Sequence, residues 1–190
     1  MNNFLSKEGR SKLQIMSNMI RFNNAIHIHN ENVAEHSFYV AIYSMVICDV
    51  IGISGLLKQL CIEKALIHDV HEIEISDIPH NVKSMIPGMI ETCNRIEEEY
   101  NKEKFEIYSL EYQILSEKNR KKCDCIVNIA DILSVVQYSI QEIEIGNKNR
   151  FVEVYKGACS RLNEELKNLK NLIEPNEFKK LIDEMEISYA

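Results

Sequence analysis

The stretch that decides the fold is Ile126-Val127-Asn128-Ile129-Ala130-Asp131-Ile132-Leu133-Ser134-Val135-Val136. Read as a helix it is apolar nearly all the way round, and such a helix belongs at the centre of a bundle. Asp131 breaks the pattern. A carboxylate in those surroundings is expensive unless it meets a cation. Two readings follow: a salt bridge with an Arg or Lys elsewhere in the chain, or a metal ligand offered from a helix distant in sequence.

The rest of the chain agrees with a helical bundle. Apolar residues recur at three- and four-residue steps, Gly and Pro fall between segments, and no stretch alternates as a half-buried strand would. Helices are expected at about 6–20, 33–51, 60–75, 86–104, 106–117, 122–145, 150–169 and 175–187, with ends uncertain by about 2–4 residues. No repeat, linker or low-complexity segment appears. The expectation is one all-α domain over residues 1–190. Its motif-bearing core spans about 21–145, and the C-terminal helices pack on that core.

Composition narrows the function. The chain has 190 residues, 22 of them basic and 29 acidic, for a net charge of −7. Lacking a basic block, it is not expected to grip a nucleic-acid backbone. A small anion stays possible, because one metal ion and one Arg reverse the field locally. Met1 to Glu8 shows no basic segment followed by an apolar run, so no secretory signal is expected. The apolar stretch from about Val40 to Leu57 is broken by Ser44, Asp49, Gly52, Ser54 and Gly55, which reads as a core helix running into a turn. The six scattered cysteines read as reduced thiols, and Cys123-Asp124-Cys125 lacks the second pair that a tetrahedral site needs. The expectation is a cytoplasmic protein with no membrane and no nucleic-acid partner.

Three further segments carry chemistry. In Asn30-Glu31-Asn32-Val33-Ala34-Glu35-His36-Ser37, Asn32 and Glu35 form a capping box and place His36 in the first helical turn. Phe38, Ala41, Ile42 and Met45 then make an apolar stripe beside it. In Ile67-His68-Asp69-Val70-His71-Glu72, a helix would bury Ile62, Leu66, Val70 and Ile73 on one face. Ala65, His68, Asp69 and Glu72 would fall on the neighbouring face. His68 and Asp69, about 100° apart on a helix, could reach one cation, and Glu72 a water on it. His71 points elsewhere. In Ser76-Asp77-Ile78-Pro79-His80-Asn81-Val82-Lys83, Pro79 turns the chain and carries Asp77 back towards the His-Asp pair.

The ordered set His36, His68-Asp69 and Asp131 resembles the H…HD…D signature of the HD-domain metal phosphohydrolases. With Arg21-Phe22, Glu31 to Ser37, His68 to Glu72, Asp77-Ile78-Pro79, Val82-Lys83 and Ala130-Asp131, it looks like the YfbR-type 5′-deoxynucleotidases over roughly residues 4–170. That resemblance implies a homodimeric helical bundle holding one divalent transition metal. It also implies hydrolysis of deoxyribonucleoside 5′-monophosphates to nucleoside and phosphate. By position, His36, His68, Asp69 and Asp131 would be the metal ligands, Glu72 the catalytic glutamate, Arg21 the phosphate-binding arginine and Asp77 an acid beside the sugar. Lys83 would add charge near the phosphate. Where the family carries Arg-Trp this chain has Arg21-Phe22, a smaller flat wall at the position that helps favour deoxyribose.

Two imidazoles and two carboxylates suit Mn²⁺, Co²⁺, Fe²⁺ or Zn²⁺ better than Ca²⁺. Two rival functions share these residues. One is an HD phosphohydrolase acting on a nucleoside triphosphate, an alarmone or a cyclic dinucleotide. The other is a catalytically silent module that binds metal and nucleotide, against which the presence of Glu72 speaks. All of this requires four side chains far apart in sequence to converge. A gap between Asp131 and the others above about one helix diameter (roughly 10 Å) would dissolve the site.

Overall fold

The computed structural model describes residues 4–105 and 111–185. In chain order the helices are α1 (Lys7–Leu13) with a 3₁₀ turn at Gln14–Ser17, α2 (Val33–Val50), α3 (Gly55–Ile67), α4 (Glu72–Ile75), α5 (His80–Met85) and α6 (Met89–Lys104). A helical turn at 111–114, α7, follows. Then come α8 (Glu117–Glu144), α9 (Lys148–Lys170) and α10 (Pro175–Met185). Among the described residues there is no strand, only an isolated antiparallel bridge between Ile20 and Asn32. The fold is all-α, as the periodicity indicated.

α8 is the axis. It packs on α2, α3 and α9, and Ile126, Val127, Ile129, Ala130 and Ile132 along it are buried. Ser116 caps its N-terminus, so α8 begins five residues earlier than the apolar pattern alone suggested. By length and composition α2 and α8 could each cross a membrane. Both instead supply buried side chains to the bundle core.

α2 opens with the expected capping box: Asn32 Oδ1 accepts from the Glu35 amide at 2.9 Å, and Glu35 Oε2 from the Asn32 amide at 3.1 Å. Its buried face differs from the expected stripe. Val33, His36, Ser37, Val40, Ala41, Ser44, Ile47 and Cys48 are buried, whereas Phe38 is 56% exposed. The helix is apolar around most of its circumference, so apolarity alone did not select a face.

The expected helix at 60–75 is two pieces. α3 starts at Gly55, ends at Ile67, and gives way to tight turns in which Val70 N bonds Ile67 O and Glu72 N bonds Asp69 O. The His68 ring explains the break: its Nδ1–H donates to Ala65 O at 2.7 Å, satisfying a carbonyl at the helix end. The buried face shifts accordingly to Leu60, Cys61 and Ala65, and Leu66 is 46% exposed.

The helix expected at 86–104 forms nearly as expected, but a short extra helix precedes it in the segment expected to turn after Pro79. α6 begins only at Met89, after Gly88 in the left-handed region at φ 77°, and α5 forms ahead of it from Pro79. The helix expected at 106–117 lies partly outside the described residues, as do the last two positions expected of α10.

Candidate metal centre and active site

Three elements bring the predicted ligands together. His36 sits in the first turn of α2 and is fully buried. His68 and Asp69 sit in the turn after α3, and Asp131 at the middle of α8. His36 Nε2 lies 3.3 Å from His68 Nε2, 3.6 Å from Asp69 Oδ2 and 3.1 Å from Asp131 Oδ1. His68 Nε2 lies 3.2 Å from Asp69 Oδ2. Donors bonded at about 2.0–2.2 Å to a single transition metal stand roughly 3–3.5 Å apart, so the set fits one ion. His36, His68 and Asp69 form a compact three-donor group, which Asp131 joins through His36.

The ring orientations are fixed from behind. His68 Nδ1 is used by Ala65 O, and His36 Nδ1 lies 3.1 Å from Ser134 Oγ. Both Nε2 atoms therefore face the cluster, the arrangement that outer hydrogen bonds impose on ligating histidines. His71 does point away, yet it is buried, its Nδ1 bonded to His68 O at 2.9 Å.

Electrostatics describe a place built for positive charge. Burial, with Arg21 near, pushes the His36 imidazole down to about 4. Burial also acts to lower His68, but Asp69 beside it, with Asp131, lifts it to about 9. Burial works to raise Asp131, and its hydrogen bond and charge pairing with His36 outweigh this, leaving it well below the ordinary carboxylate range. His68 is therefore the ligand at which a proton would compete with a metal ion. Metal binding must displace that proton.

The cluster forms the floor of a cavity of about 520 Å³ whose lining includes Arg21, Phe22, Glu72, Asp77 and Lys83 as well as Asp69 and Asp131. Glu72 opens α4 and is 2% exposed, with Oε2 lacking a hydrogen-bond partner. Burial, with Asp69 and Asp77 close by, pushes it up to about 9. Burial likewise raises Asp77, with Arg21 opposing and Asp69 reinforcing the shift.

Arg21 is held where the chain from α1 passes α2. Its amide donates to Glu31 O, and the Val33 amide to Met19 O, flanking the Ile20–Asn32 bridge. Its Nη1 lies 3.2 Å from Asp69 Oδ2 and its Nε 3.3 Å from Glu31 Oε2. Phe22 follows in the left-handed region at φ 56°, a conformation costing a non-glycine residue about 1–2 kcal/mol. The ring offsets this by stacking on Tyr138 at 4.8 Å and meeting Phe151 edge-on at 5.5 Å.

Three contributors escaped the sequence reading. Glu31, side chain 8% exposed, pairs with Arg21. Arg161 of α9 reaches within 3.7 Å of Asp131 Oδ2, so both readings of Asp131 left open by the sequence find a partner nearby. Glu142, at the far end of α8, is fully buried and accepts from the Ile28 and His29 amides and Asn147 Nδ2, at 2.9, 2.6 and 2.6 Å. It ties down the loop between Arg21 and Glu31. Glu31 lay within a quoted motif, but no local pattern marked Arg161 or Glu142.

Comparisons with known proteins agree with this geometry. The family model described as 5′-deoxynucleotidase YfbR-like matches residues 11–184. No curated protein matches the sequence. Among solved structures, an HD-domain phosphohydrolase from Listeria innocua is 25% identical, with TM-score 0.68, over 94% of this chain and 86% of its own. A protein from Pyrococcus horikoshii OT3 is also 25% identical, with TM-score 0.63, over 93% of this chain and 99% of its own. A cyanophage S-2L HD phosphohydrolase, solved with dA and one catalytic Zn²⁺, shares the fold at 19% identity and TM-score 0.70, over 95% of each chain. The chain therefore belongs to the YfbR-like 5′-deoxynucleotidase family of HD-domain, metal-dependent phosphohydrolases.

Proposed function

We propose that the chain hydrolyses deoxyribonucleoside 5′-monophosphates to deoxynucleoside and inorganic phosphate, with one divalent transition metal held by His36, His68, Asp69 and Asp131. The observation that carries this is the convergence of two imidazole nitrogens and two carboxylate oxygens, 3.1–3.6 Å between neighbours, on the floor of a cavity also lined by Arg21 and Glu72. The relative solved with dA and Zn²⁺ supports the nucleotide class and the type of ion. Bound there, a divalent ion supplies Lewis-acid activation of phosphate and water.

The side chains divide the remaining work. Glu72, whose buried Oε2 has no protein partner, orients the attacking water; with the charge of a bound divalent ion offsetting the burial and the carboxylates that raise it, it ionises and takes that water's proton, a general-base contribution of about 10²–10⁴ in rate. Arg21 donates to phosphate oxygens from a guanidinium already aimed by Glu31 and Asp69. Asp77, raised by burial, accepts from a sugar hydroxyl or returns a proton to the leaving 5′ oxygen. Lys83 adds charge at the cavity wall. Phe22 presents the flat wall beside the sugar.

The decisive assay incubates deoxy- and ribonucleoside monophosphates with Co²⁺, Mn²⁺, Fe²⁺ or Zn²⁺ and reads orthophosphate against pyrophosphate. Orthophosphate from monophosphates is expected; pyrophosphate or tripolyphosphate from triphosphates alone would replace this reading with its nearest rival. A homodimer belongs to the same proposal. The exposed Phe38, Tyr39, Ile42 and Val46 on α2 offer an apolar face for it, and sedimentation checks it. The six cysteines, none in a disulfide, support a reducing, cytoplasmic setting.

A further inference from the structure

One wall of the cavity is α9, through Arg150, Glu153, Val154, Gly157, Ala158 and Arg161. These positions recur at helical spacing and share one face. Gly157 lies inside the helix, where glycine is weaker than alanine, and a Cβ there would meet nothing within 4 Å. No neighbouring side chain requires the glycine. The helix surface at Gly157 is open to the cavity.

Arg161 stands one turn further on. Its Nη2 is 3.7 Å from Asp131 Oδ2, an ion pair too long for a hydrogen bond. Among the described residues no hydrogen bond uses its donors. Arg21 contrasts with it: its Nε is against Glu31, its Nη1 against Asp69, and its side chain is 12% exposed, compared with 38% for Arg161. The cavity thus has one arginine clamped between two carboxylates and a second, more accessible one paired with Asp131 at 3.7 Å beside the same cluster.

We propose that Arg161 is a second phosphate-binding residue, donating to a phosphate oxygen of the nucleotide, and that Gly157 leaves the room in which the nucleotide lies along α9. This rests on the phosphohydrolase reading above and adds a residue that the family motifs do not contain. Paired donors of a guanidinium suit a tetrahedral oxyanion, and a lysine at the same place would not reproduce them.

The test is calorimetric binding of inorganic phosphate to the Mn²⁺-loaded full chain, beside metal content and nucleotide turnover. R161A is expected to weaken phosphate binding roughly ten- to hundredfold, with manganese content unchanged. R161K is expected to restore only part of it, and KM for the monophosphate to rise more than kcat falls. G157L is expected to weaken nucleotide binding while leaving inorganic phosphate binding intact. Unchanged phosphate affinity in R161A overturns the proposal. So does loss of manganese, since Arg161 would then act by positioning Asp131. Wild-type protein that binds phosphate but releases none from any nucleotide would overturn the nucleotidase reading and leave Arg161 in place. Full turnover in R161A would do the reverse.

Discussion

Asp131 and Glu142 sit on the same helix eleven residues apart, close to three full turns, and so share a face of α8. Their surroundings are opposite. Glu142 has two backbone amides and an Asn amide around its carboxylate. Burial acts to raise it, but these hydrogen bonds win and hold it below the ordinary carboxylate range. Asp131 meets His36 at 3.1 Å and the cavity, with no backbone amide bonded to it among the described residues, and its nearest fixed positive charge is Arg161 at 3.7 Å, too long for a hydrogen bond. A buried carboxylate saturated by amides is an anchor. One set among imidazoles and a second carboxylate at the floor of a cavity is a candidate metal site.

The comparison breaks most sharply at Asp131. D131A is expected to lose both bound metal and turnover, with the fold retained by circular dichroism; metal analysis of the purified variant checks it. E72Q should keep the metal and lose about 10²–10⁴-fold in kcat. Loss of metal in E72Q would make Glu72 a ligand.

E142A should show the converse pattern. It leaves the half-buried amide bonds of Ile28 and His29 without their acceptor, costing about 1–3 kcal/mol, while metal content in the folded fraction stays unchanged. Thermal unfolding measures it. Because the folded pKa of Glu142 is lowered, its stabilisation is complete above the ordinary value of 4.5 and disappears as pH falls through the lower folded value. The stability gap between wild type and E142A should therefore narrow on acidification.

Glu31 supplies the finest distinction. Burial raises its pKa to about 7 despite Arg21 beside it. Ionising it thus costs folding stability as pH climbs from about 4.5 to 7. E31Q should raise Tm at pH 8 by about 2–4 °C and raise KM a few-fold, because Arg21 loses the carboxylate that aims it. A lowered Tm would show that the ion pair outweighs the desolvation.

The sequence was most legible where a local signal coincided with chemistry. Asn32 and Glu35 announced the start of α2 and so the depth of His36. The lone acid in Ile126 to Val136 announced Asp131. The break between Ile67 and Glu72 was hidden because its cause is a side chain, His68, that bonds a backbone carbonyl, and apolar spacing carries no record of that. The buried face of α2 was hidden for a different reason: too many of its positions were apolar to prefer one direction. Arg161 and Glu142 were invisible because each meets its partners on a separate element, Asp131 on α8 for Arg161 and the Ile28–His29 backbone for Glu142.

The Asn24 side chain donates to Asn81 Oδ1 at 3.2 Å, and Asn23 to Asp77 O at 3.2 Å, joining the loop after Phe22 to the segment around α5. Asn24 and Asn81 both line the cavity. A neutral bond of this kind at an exposed position contributes about 1 kcal/mol, little more than thermal energy. A rim tied this loosely adds little barrier of its own to traffic through the cavity.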